Sequence, residues 1–234
     1  MNLYRYRLWA AVLPALCVPF AAALLYFVIC GNPDTARGIY AGAKIFLVVW
    51  PLAASLFILR GRPSSWRSER VRRLPAAVAG LACGAAMSLL IFGVMLTPLG
   101  GLVTAGADSI RERSAHLGIL EHYWTFGVFL AVLHSLMEEY YWRWFTFGAL
   151  RGRLGLRAAA AISSAAFASH HVIITAQLMS LPLGILCGAA IACGGFLWAL
   201  LYERYGSLLA PWLAHVVVDF AVMAVGYRVI TGGG

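Results

Sequence analysis

Charged residues are scarce in this sequence. They make up 12% of the 234 residues, and only nine residues are acidic. A typical soluble domain contains about 25% charged residues, so this composition excludes an ordinary soluble protein. Hydrophobic residues take their place, at 62% of the chain, and the mean hydropathy is +0.82. The composition therefore predicts an integral membrane protein.

Long polar stretches are also missing, and no soluble domain fits between the apolar runs. These runs are about 20 residues long, enough for a helix to cross about 30 Å of hydrocarbon. We expect an all-α fold, a polytopic bundle of about seven transmembrane helices, with six to eight allowed by uncertain ends. The predicted helices are 8–30, 38–59, 75–99, 122–150, 157–180, 183–204 and 207–228.

Cysteine pairs and metal-binding cysteine spacings are absent. The five cysteines all lie within or at the ends of apolar runs, where we expect them to pack as small hydrophobic residues. The net charge of +9 does not predict nucleic-acid binding, because the arginines concentrate in short loops, as in membrane proteins whose basic loops face the cytoplasm. Residues 60–73 and 151–157 form such loops, and they place the N-terminus in the cytoplasm.

Residues 100–121 form the long segment predicted on the outer side. It is glycine-rich at first and amphipathic afterwards, which is compatible with a short interfacial helix. The segment is interpreted as a connector, with a substrate gate as the alternative. It divides the chain into N-terminal helices with an outer loop, 1–121, and a predicted catalytic core, 122–234.

Ionisable residues inside predicted membrane helices are few, and such residues mark function by default. Counted at about 1.5 Å per residue from the cytoplasmic helix ends, Glu138, His171 and Asp219 each lie roughly 20 Å deep, and His215 lies roughly 14 Å deep. Three separate helices therefore bring acids and imidazoles to one layer.

The spacing of charged residues within each helix predicts which side chains contact each other. Glu139 and Arg143 stand four residues apart in the order that favours an ion pair, and His215 and Asp219 share a helix face in the same way. Glu138 points about 100° away from Glu139. We therefore expect Arg143 to hold Glu139 and to leave Glu138 free as a general base that activates water.

His134 lies one helical turn before Glu138 and could contact it, either as a functional group or as an interhelical hydrogen-bonding residue. No serine or cysteine nucleophile with an adjacent base is evident, and Ser163, Ser164 and Ser169 are interpreted as packing residues. Hydrolysis by activated water is the chemistry that these residues favour, with imidazoles positioning the water and the developing oxyanion.

A metal site is the alternative for the same residues. Glu138, His171 and His215 would be a credible first shell for zinc, with water in the fourth position. The HExxH sequence typical of zinc peptidases is absent. The sequence therefore favours a site without a cofactor and keeps zinc as the alternative.

Three motifs on separate helices resemble those of the CPBP family of intramembrane proteases. The stretch EEYYWR, with Glu138, Glu139 and Arg143, looks like EExxxR; FASHH, with Phe167 and His171, looks like FxxxH; and HVVVD, with His215 and Asp219, looks like HxxxN/D. The resemblance covers roughly residues 130–225.

The resemblance implies an endopeptidase that cuts membrane-associated peptides or proteins. Glu138 and His171 would activate water, and His215 with residue 219 would stabilise the oxyanion. Many members have asparagine at the last position, so Asp219 departs from the common pattern; it could be protonated, or it could orient His215 instead. His170 faces about 100° away from the motif residue His171.

The family includes type II CAAX prenyl endopeptidases and proteins that process bacteriocins or confer immunity, and the resemblance implies a bacterial inner membrane. The expected partners are the lipid bilayer and a membrane-associated substrate.

Two other functions remain open. A proton-coupled transporter would also concentrate acids and histidines at mid-membrane, although no internal repeat is evident. A catalytically silent binding or immunity protein would not depend on Glu138.

Overall fold

The computed structural model describes residues 3–61, 73–116 and 118–232, and within them it contains helices and no strand. In chain order the helices are α1 (Leu3–Leu24, continued by a π-helical turn at Leu25–Ile29), α2 (Pro33–Ala53, continued at Ala54–Ile58), α3 (Arg73–Met95), α4 (Pro98–Thr104), α5 (Ala107–His116), α6 (residues 123–154), α7 (Leu156–Leu178), α8 (Leu181–Tyr205) and α9 (Leu209–Thr231).

Six helices in the described ranges are long and apolar enough to cross a membrane: α1, α2, α3, α7, α8 and α9. The long helix α6, which carries both glutamates and Arg143, packs against α2, α7 and α9. Leucines and other large apolar side chains are exposed along the outside, including Leu89, Leu90 and Phe57. The predicted polytopic helical membrane fold is confirmed.

Helix α6 alternates between two kinds of helical turn. Its α-helical and π-helical segments are, in order, Tyr123–Val128 (α), Phe129–His134 (π), Ser135–Glu139 (α), Tyr140–Phe147 (π) and Gly148–Leu154 (α). Wider π turns occur preferentially at functional sites. Here they flank the short α-helical segment that carries Glu138 and Glu139 on both sides.

Two predicted helix ends are corrected by local capping chemistry. The helix predicted at 75–99 ends at Met95, because Thr97 is extended before Pro98 and caps the next helix by accepting a hydrogen bond from the amide of Leu99. The helix predicted from 38 begins at Pro33, because the Asn32 side chain accepts hydrogen bonds from two amides of the first turn.

The segment predicted as an outer loop with a short interfacial helix contains α4, α5 and a 3₁₀ turn at Leu120–His122. The Arg111 side chain donates hydrogen bonds to the carbonyl of Ile230 at the end of α9. The short helix is therefore confirmed, and the segment is fixed to the end of the last helix.

Small residues bring α3 and α9 into close contact. A Cβ atom at Gly80 would lie 2.3 Å from the carbonyl oxygen of Ala210, and one at Gly84 would lie 2.8 Å from that of Ala214. Close approach at small residues is the usual way in which membrane helices pack, because lipid offers no hydrophobic driving force between them. This packing fixes the backbone immediately before His215.

The arginine-rich helix ends meet at one end of the bundle. Arg151 of α6 pairs with Glu203 of α8 at 2.7 Å, so the two cytoplasmic ends predicted from the sequence lie side by side. Most of the other predicted arginine-rich loop, residues 62–72, lies outside the described residues.

Candidate active site

Glu138 lies at the centre of a cluster of imidazoles. Its Oε1 is 3.5 Å from His134 Nε2 and 3.7 Å from His170 Nε2, and its Oε2 is 3.7 Å from His215 Nε2. The side chain is only 6% exposed. The structure thus brings α6, α7 and α9 together at one carboxylate, as the depth count predicts.

Glu139 is held from two sides. Its Oε1 is 3.1 Å from Arg143 NH1 within α6 and 2.8 Å from His215 Nδ1 on α9, and the glutamate is fully buried. The predicted partnership with Arg143 is therefore present. The contact with His215 is additional, since the sequence gives no reason to assign it to Glu139 rather than to Asp219.

Arg143 is buried, with a planar guanidinium packed among aromatic rings. Its Cζ lies 4.7 Å from the ring centroid of Phe167 and 5.1 Å from that of Trp198, distances at which a cation is attracted to a ring face. Its NH2 donates to the carbonyl of Gly195 at 3.4 Å. These contacts fix the cation that faces Glu139.

His171 has a defined hydrogen-bonding state. Its Nδ1 lies 3.0 Å from the carbonyl of Phe167, and because a carbonyl only accepts, Nδ1 must carry the proton. In the neutral imidazole this leaves Nε2 with a lone pair, ready to accept from water or to bind a metal.

His170 also belongs to the cluster, although the sequence ranks it below His171. Its ring centroid is 4.1 Å from that of His171, and the ring stacks on Trp142 with planes 9° apart. One ligand atom each from Glu138, His170 and His171 lie within 4.8 Å of one another. This group has His170 where the metal set predicted from the sequence has His215.

The donor types in this group fit zinc. Ligand atoms at about 2.1 Å from a tetrahedral zinc lie about 3.4 Å apart, and Glu138 Oε1 and His170 Nε2 lie 3.7 Å apart. A bridging water also fits this group, because two hydrogen bonds of about 2.8 Å can join atoms up to 4.8 Å apart.

Asp219 faces His215 rather than Glu138. Its Oδ1 is 3.5 Å from His215 Nε2, and its side chain is 25% exposed. The i, i+4 contact predicted from the sequence is therefore present. His215 is thereby placed between Glu139 at Nδ1 and Asp219 and Glu138 at Nε2, with its ring stacked 4.3 Å from Trp198.

A cavity of about 130 Å³ opens onto Glu138. Its lining is mostly apolar and comes from α1, α2, α6 and α7. The polar side chains in that lining are Tyr26, Tyr40, Lys44, His134, Glu138, His170 and His171. The cavity can hold several water molecules or a side chain of a bound peptide.

Sequence reasoning misses Lys44. This residue lies on α2, and its Nζ is 3.3 Å from His134 Nε2. The signal that could have found it is the same one that identified the acids, a single charged residue in the apolar run 38–59.

The three serines interpreted as packing residues behave differently from nucleophiles. Ser163 and Ser169 donate to carbonyls of their own helix, Ala160 and Ala166, and Ser163 and Ser164 are buried. Among the described contacts, none of the three has a histidine or carboxylate as a hydrogen-bond partner.

Two glutamates, an arginine and histidines from three helices thus lie together in a protein whose helices are long and apolar enough to cross a membrane. Residues 120–221 match the protein-family model described as Rce1-like, Type II CAAX prenyl endopeptidase Rce1-like. The matched residues carry all three motifs, and this family corresponds to the CPBP family. The match covers less than half of the chain, so residues 120–221 are similar to that family, and the similarity supports a CAAX-type protease embedded in the membrane.

Comparisons with curated proteins and with solved structures gave no significant match.

Proposed function

We propose that this protein is an intramembrane endopeptidase of the glutamic type, which hydrolyses a peptide bond in a membrane-associated protein or peptide. The observation that carries the proposal is the position of Glu138, which borders an apolar cavity and has imidazoles within 3.5–3.7 Å. A buried carboxylate beside imidazoles and a cavity can hold and deprotonate a water molecule.

In the proposed reaction, Glu138 and His171 bind the attacking water between them. Glu138 takes a proton from this water as it attacks the peptide carbonyl, and later gives a proton to the leaving amine. The Nε2 atom of His171 accepts the second hydrogen bond from the water, since its Nδ1 is committed to the Phe167 carbonyl. Water and Glu138 supply all the protons that the hydrolysis needs.

His215 is the proposed donor to the oxyanion, with Asp219 as a positioning residue. As an imidazolium, His215 donates from Nδ1 to Glu139 and still has Nε2–H available for the negative oxygen. Asp219 Oδ1 lies 3.5 Å from the same Nε2, too far for a strong hydrogen bond, which supports an electrostatic role for Asp219 in orienting the imidazolium while Nε2–H donates to the oxyanion. Glu139 and Arg143 hold the other side of His215 and complete the proposed catalytic set.

Zinc-dependent hydrolysis is a second candidate, favoured by the grouping of Glu138, His170 and His171. A bound zinc would supply a Lewis acid that activates water near neutral pH. These residues would hold the ion, and His215 would remain outside its first shell. The absence of an HExxH sequence supports the reaction without a cofactor.

The proposed substrates enter from the bilayer and expose a peptide bond to the apolar cavity. Processing or sorting of protein C-termini, maturation of a bacteriocin or leader peptide, and CAAX-like cleavage all fit a membrane-associated substrate. We place the protein in a bacterial inner membrane with its N-terminus in the cytoplasm, because the loops rich in arginine then face the cytoplasm.

The test compares membranes from cells that carry the wild-type protein, Glu138→Gln or His171→Ala, by mass spectrometry of peptide termini, with and without a strong zinc chelator. The glutamic mechanism predicts that specific termini vanish in both variants and survive the chelator. Loss of the termini on chelation supports the zinc mechanism instead. If no termini differ, proton-linked transport and a silent binding or immunity role take precedence.

A control separates chemistry from folding. Glu203→Gln removes a carboxylate that pairs with Arg151 at the end of the bundle, remote from the cavity. The peptide termini detected in membranes that carry this variant should match those of the wild type.

A separate measurement tests the transporter. Proton-linked solute flux in vesicles without peptide cleavage would favour it.

A further inference from the structure

Lys44 places a cation in the middle of an otherwise apolar helix. It is the one charged residue between Gly38 and Ile58 of the candidate membrane span Asp34–Ile58. At about 1.5 Å per residue, it lies about 16 Å from the start of α2 and about 21 Å from its far end. Because a charged side chain at this depth is costly, its retention indicates a use.

The ammonium group has no acidic partner within the described residues, since no carboxylate there lies within 4.0 Å of it. The neighbours of Nζ are the imidazole of His134, at 3.3 and 3.5 Å, and the ring of Tyr40, whose centroid is 5.1 Å away. Lys44 also lines the cavity that opens onto Glu138. A cation in such a cavity is complementary to an anionic ligand.

The distance from Lys44 to Glu138 sets a scale for that ligand. Lys44 Nζ and Glu138 Oε1 lie 3.3 and 3.5 Å from the same atom, Nε2 of His134. They are therefore less than about 7 Å apart, the length of about two residues of extended chain. An anion bound to Lys44 would lie within a few residues of a peptide bond attacked at Glu138.

We propose that Lys44 is a specificity-determining residue that binds the C-terminal carboxylate of the peptide substrate. This inference rests on the proposed function. A carboxylate bound by a partly buried ammonium forms a charge-assisted hydrogen bond, stronger than one between neutral groups. Lys44 would thus select substrates in which the attacked bond lies close to the end of the chain.

Two features favour a chain terminus over other anions. A lipid phosphate lies at the membrane interface, whereas Lys44 lies about 16 Å inside the span. Lys44 Nζ also lies less than about 7 Å from Glu138 Oε1, a distance that a carboxylate within about two residues of the attacked bond can span. An acidic side chain of the substrate offers the same carboxylate chemistry, and the experiment separates these two sources.

The test uses a peptide spanning a cleavage site found in the terminal-peptide comparison, synthesised with a free C-terminal carboxylate and as the C-terminal amide. Purified full-length wild-type protein, Lys44→Met and Lys44→Arg are assayed in neutral lipid vesicles for kcat/KM on each peptide. We expect the wild type to prefer the acid by about tenfold or more, Lys44→Met to lose that preference, and Lys44→Arg to keep part of it.

The preference is a ratio within each variant, so partial misfolding of Lys44→Met lowers both rates and leaves the ratio interpretable. Equal cleavage of acid and amide by the wild type overturns the inference, as does an unchanged preference in Lys44→Met. A third peptide, amidated at its C-terminus but ending in Asp, tests the source. If it is cleaved as well as the acid and depends equally on Lys44, the carboxylate is recognised without a chain terminus, and the C-terminal assignment is wrong.

Failure of the inference and failure of the proposed function give different results. If Glu138→Gln cleaves neither peptide while the wild type cleaves both equally, the protease proposal stands and only the role of Lys44 falls. If Glu138→Gln cleaves the acid like the wild type, or the wild type cleaves no peptide, the proposed function fails and the inference falls with it.

Discussion

Glu139 Oε1 and His215 Nδ1 lie 2.8 Å apart, and this buried contact joins α6 to α9 across 76 residues of sequence. Arg143 approaches the same oxygen from within α6 at 3.1 Å. The three side chains are each no more than 5% exposed. Glu139 is therefore a structural link between two of the helices that carry the motifs, whereas Glu138 faces the cavity.

Removing Arg143 should destabilise the protein strongly. Arg143→Met leaves Glu139 as a buried carboxylate with one partner fewer, and breaking a buried ion pair costs about 3–5 kcal/mol. We expect a marked fall in the thermal unfolding midpoint, measured in detergent. The double variant Glu139→Gln with Arg143→Met should lose less than the sum of the two single changes.

Arg151→Met is the matched control for this prediction. Arg151 pairs with Glu203 at the end of the bundle, where both side chains are about one third exposed. Exposed pairs contribute about 0–1 kcal/mol, so its unfolding midpoint should stay near that of the wild type. A comparable loss in both arginine variants would contradict the structural role assigned to Arg143.

Adding one methyl group where α3 meets α9 should disturb the site. A Cβ atom at Gly84 would lie 2.8 Å from the Ala214 carbonyl and equally close to Val217 Cβ. Such overpacking costs about 1–3 kcal/mol, and it would displace the backbone next to His215. Gly84→Ala should lower both the unfolding midpoint and the cleavage rate.

Gly93→Ala provides the comparison on the same helix, because a Cβ atom there has no heavy atom within 4 Å. It should leave stability and cleavage unchanged or slightly increase stability, since alanine favours the helix more than glycine does. If Gly84→Ala is equally harmless, the close contact of α3 with α9 does not support the site.

The two neighbouring histidines should differ in their effects on cleavage. Under the glutamic mechanism, His171→Ala removes a group that holds the attacking water and should reduce cleavage by about 10²-fold or more. His170→Ala should reduce it less, because His170 contacts Glu138 at 3.7 Å and stacks on Trp142. Measured kcat/KM values decide the order.

Equal, severe losses in both histidine variants, together with inhibition by a zinc chelator and loss of bound zinc measured by elemental analysis, would favour the metal site of Glu138, His170 and His171. Loss of cleavage in His170→Ala but not in His171→Ala would show that His170, and not His171, holds the attacking water.

Phe167 should contribute to both the stability of the protein and the rate of cleavage. Its ring is buried and lies within 6.0 Å, between ring centroids, of His170, His171 and His215. Phe167→Ala should therefore cost about 3–5 kcal/mol of stability, as large truncations in a core do, and should lower cleavage. Phe57→Ala, at a side chain that is 78% exposed, should do neither.

Much of the fold and of the site geometry follows from the sequence. Apolar length predicts the long helices, and depth counting brings Glu138, His171 and Asp219 to one layer. The pairing of Glu139 with Arg143 follows from helical periodicity alone. The catalytic roles given to these residues stay predictions until the variants are measured.

Other features depend on tertiary packing and could not be read from periodicity. The choice of Glu139 as the partner of His215 depends on how α9 is rotated against α6, and the inclusion of His170 depends on Trp142. The π-helical turns on both sides of the glutamates change the angle between residues, so a uniform 100° step is only approximate there. Lys44 was accessible from the sequence, but it lies outside the family motifs.

The most direct measurement of the central claim is the cleavage rate of purified Glu138→Gln. The substitution keeps the size of the side chain and removes the base, so the protein should fold with a wild-type unfolding midpoint and cleave its substrate about 10²-fold to 10⁴-fold more slowly. A folded Glu138→Gln protein that cleaves at the wild-type rate would contradict the account.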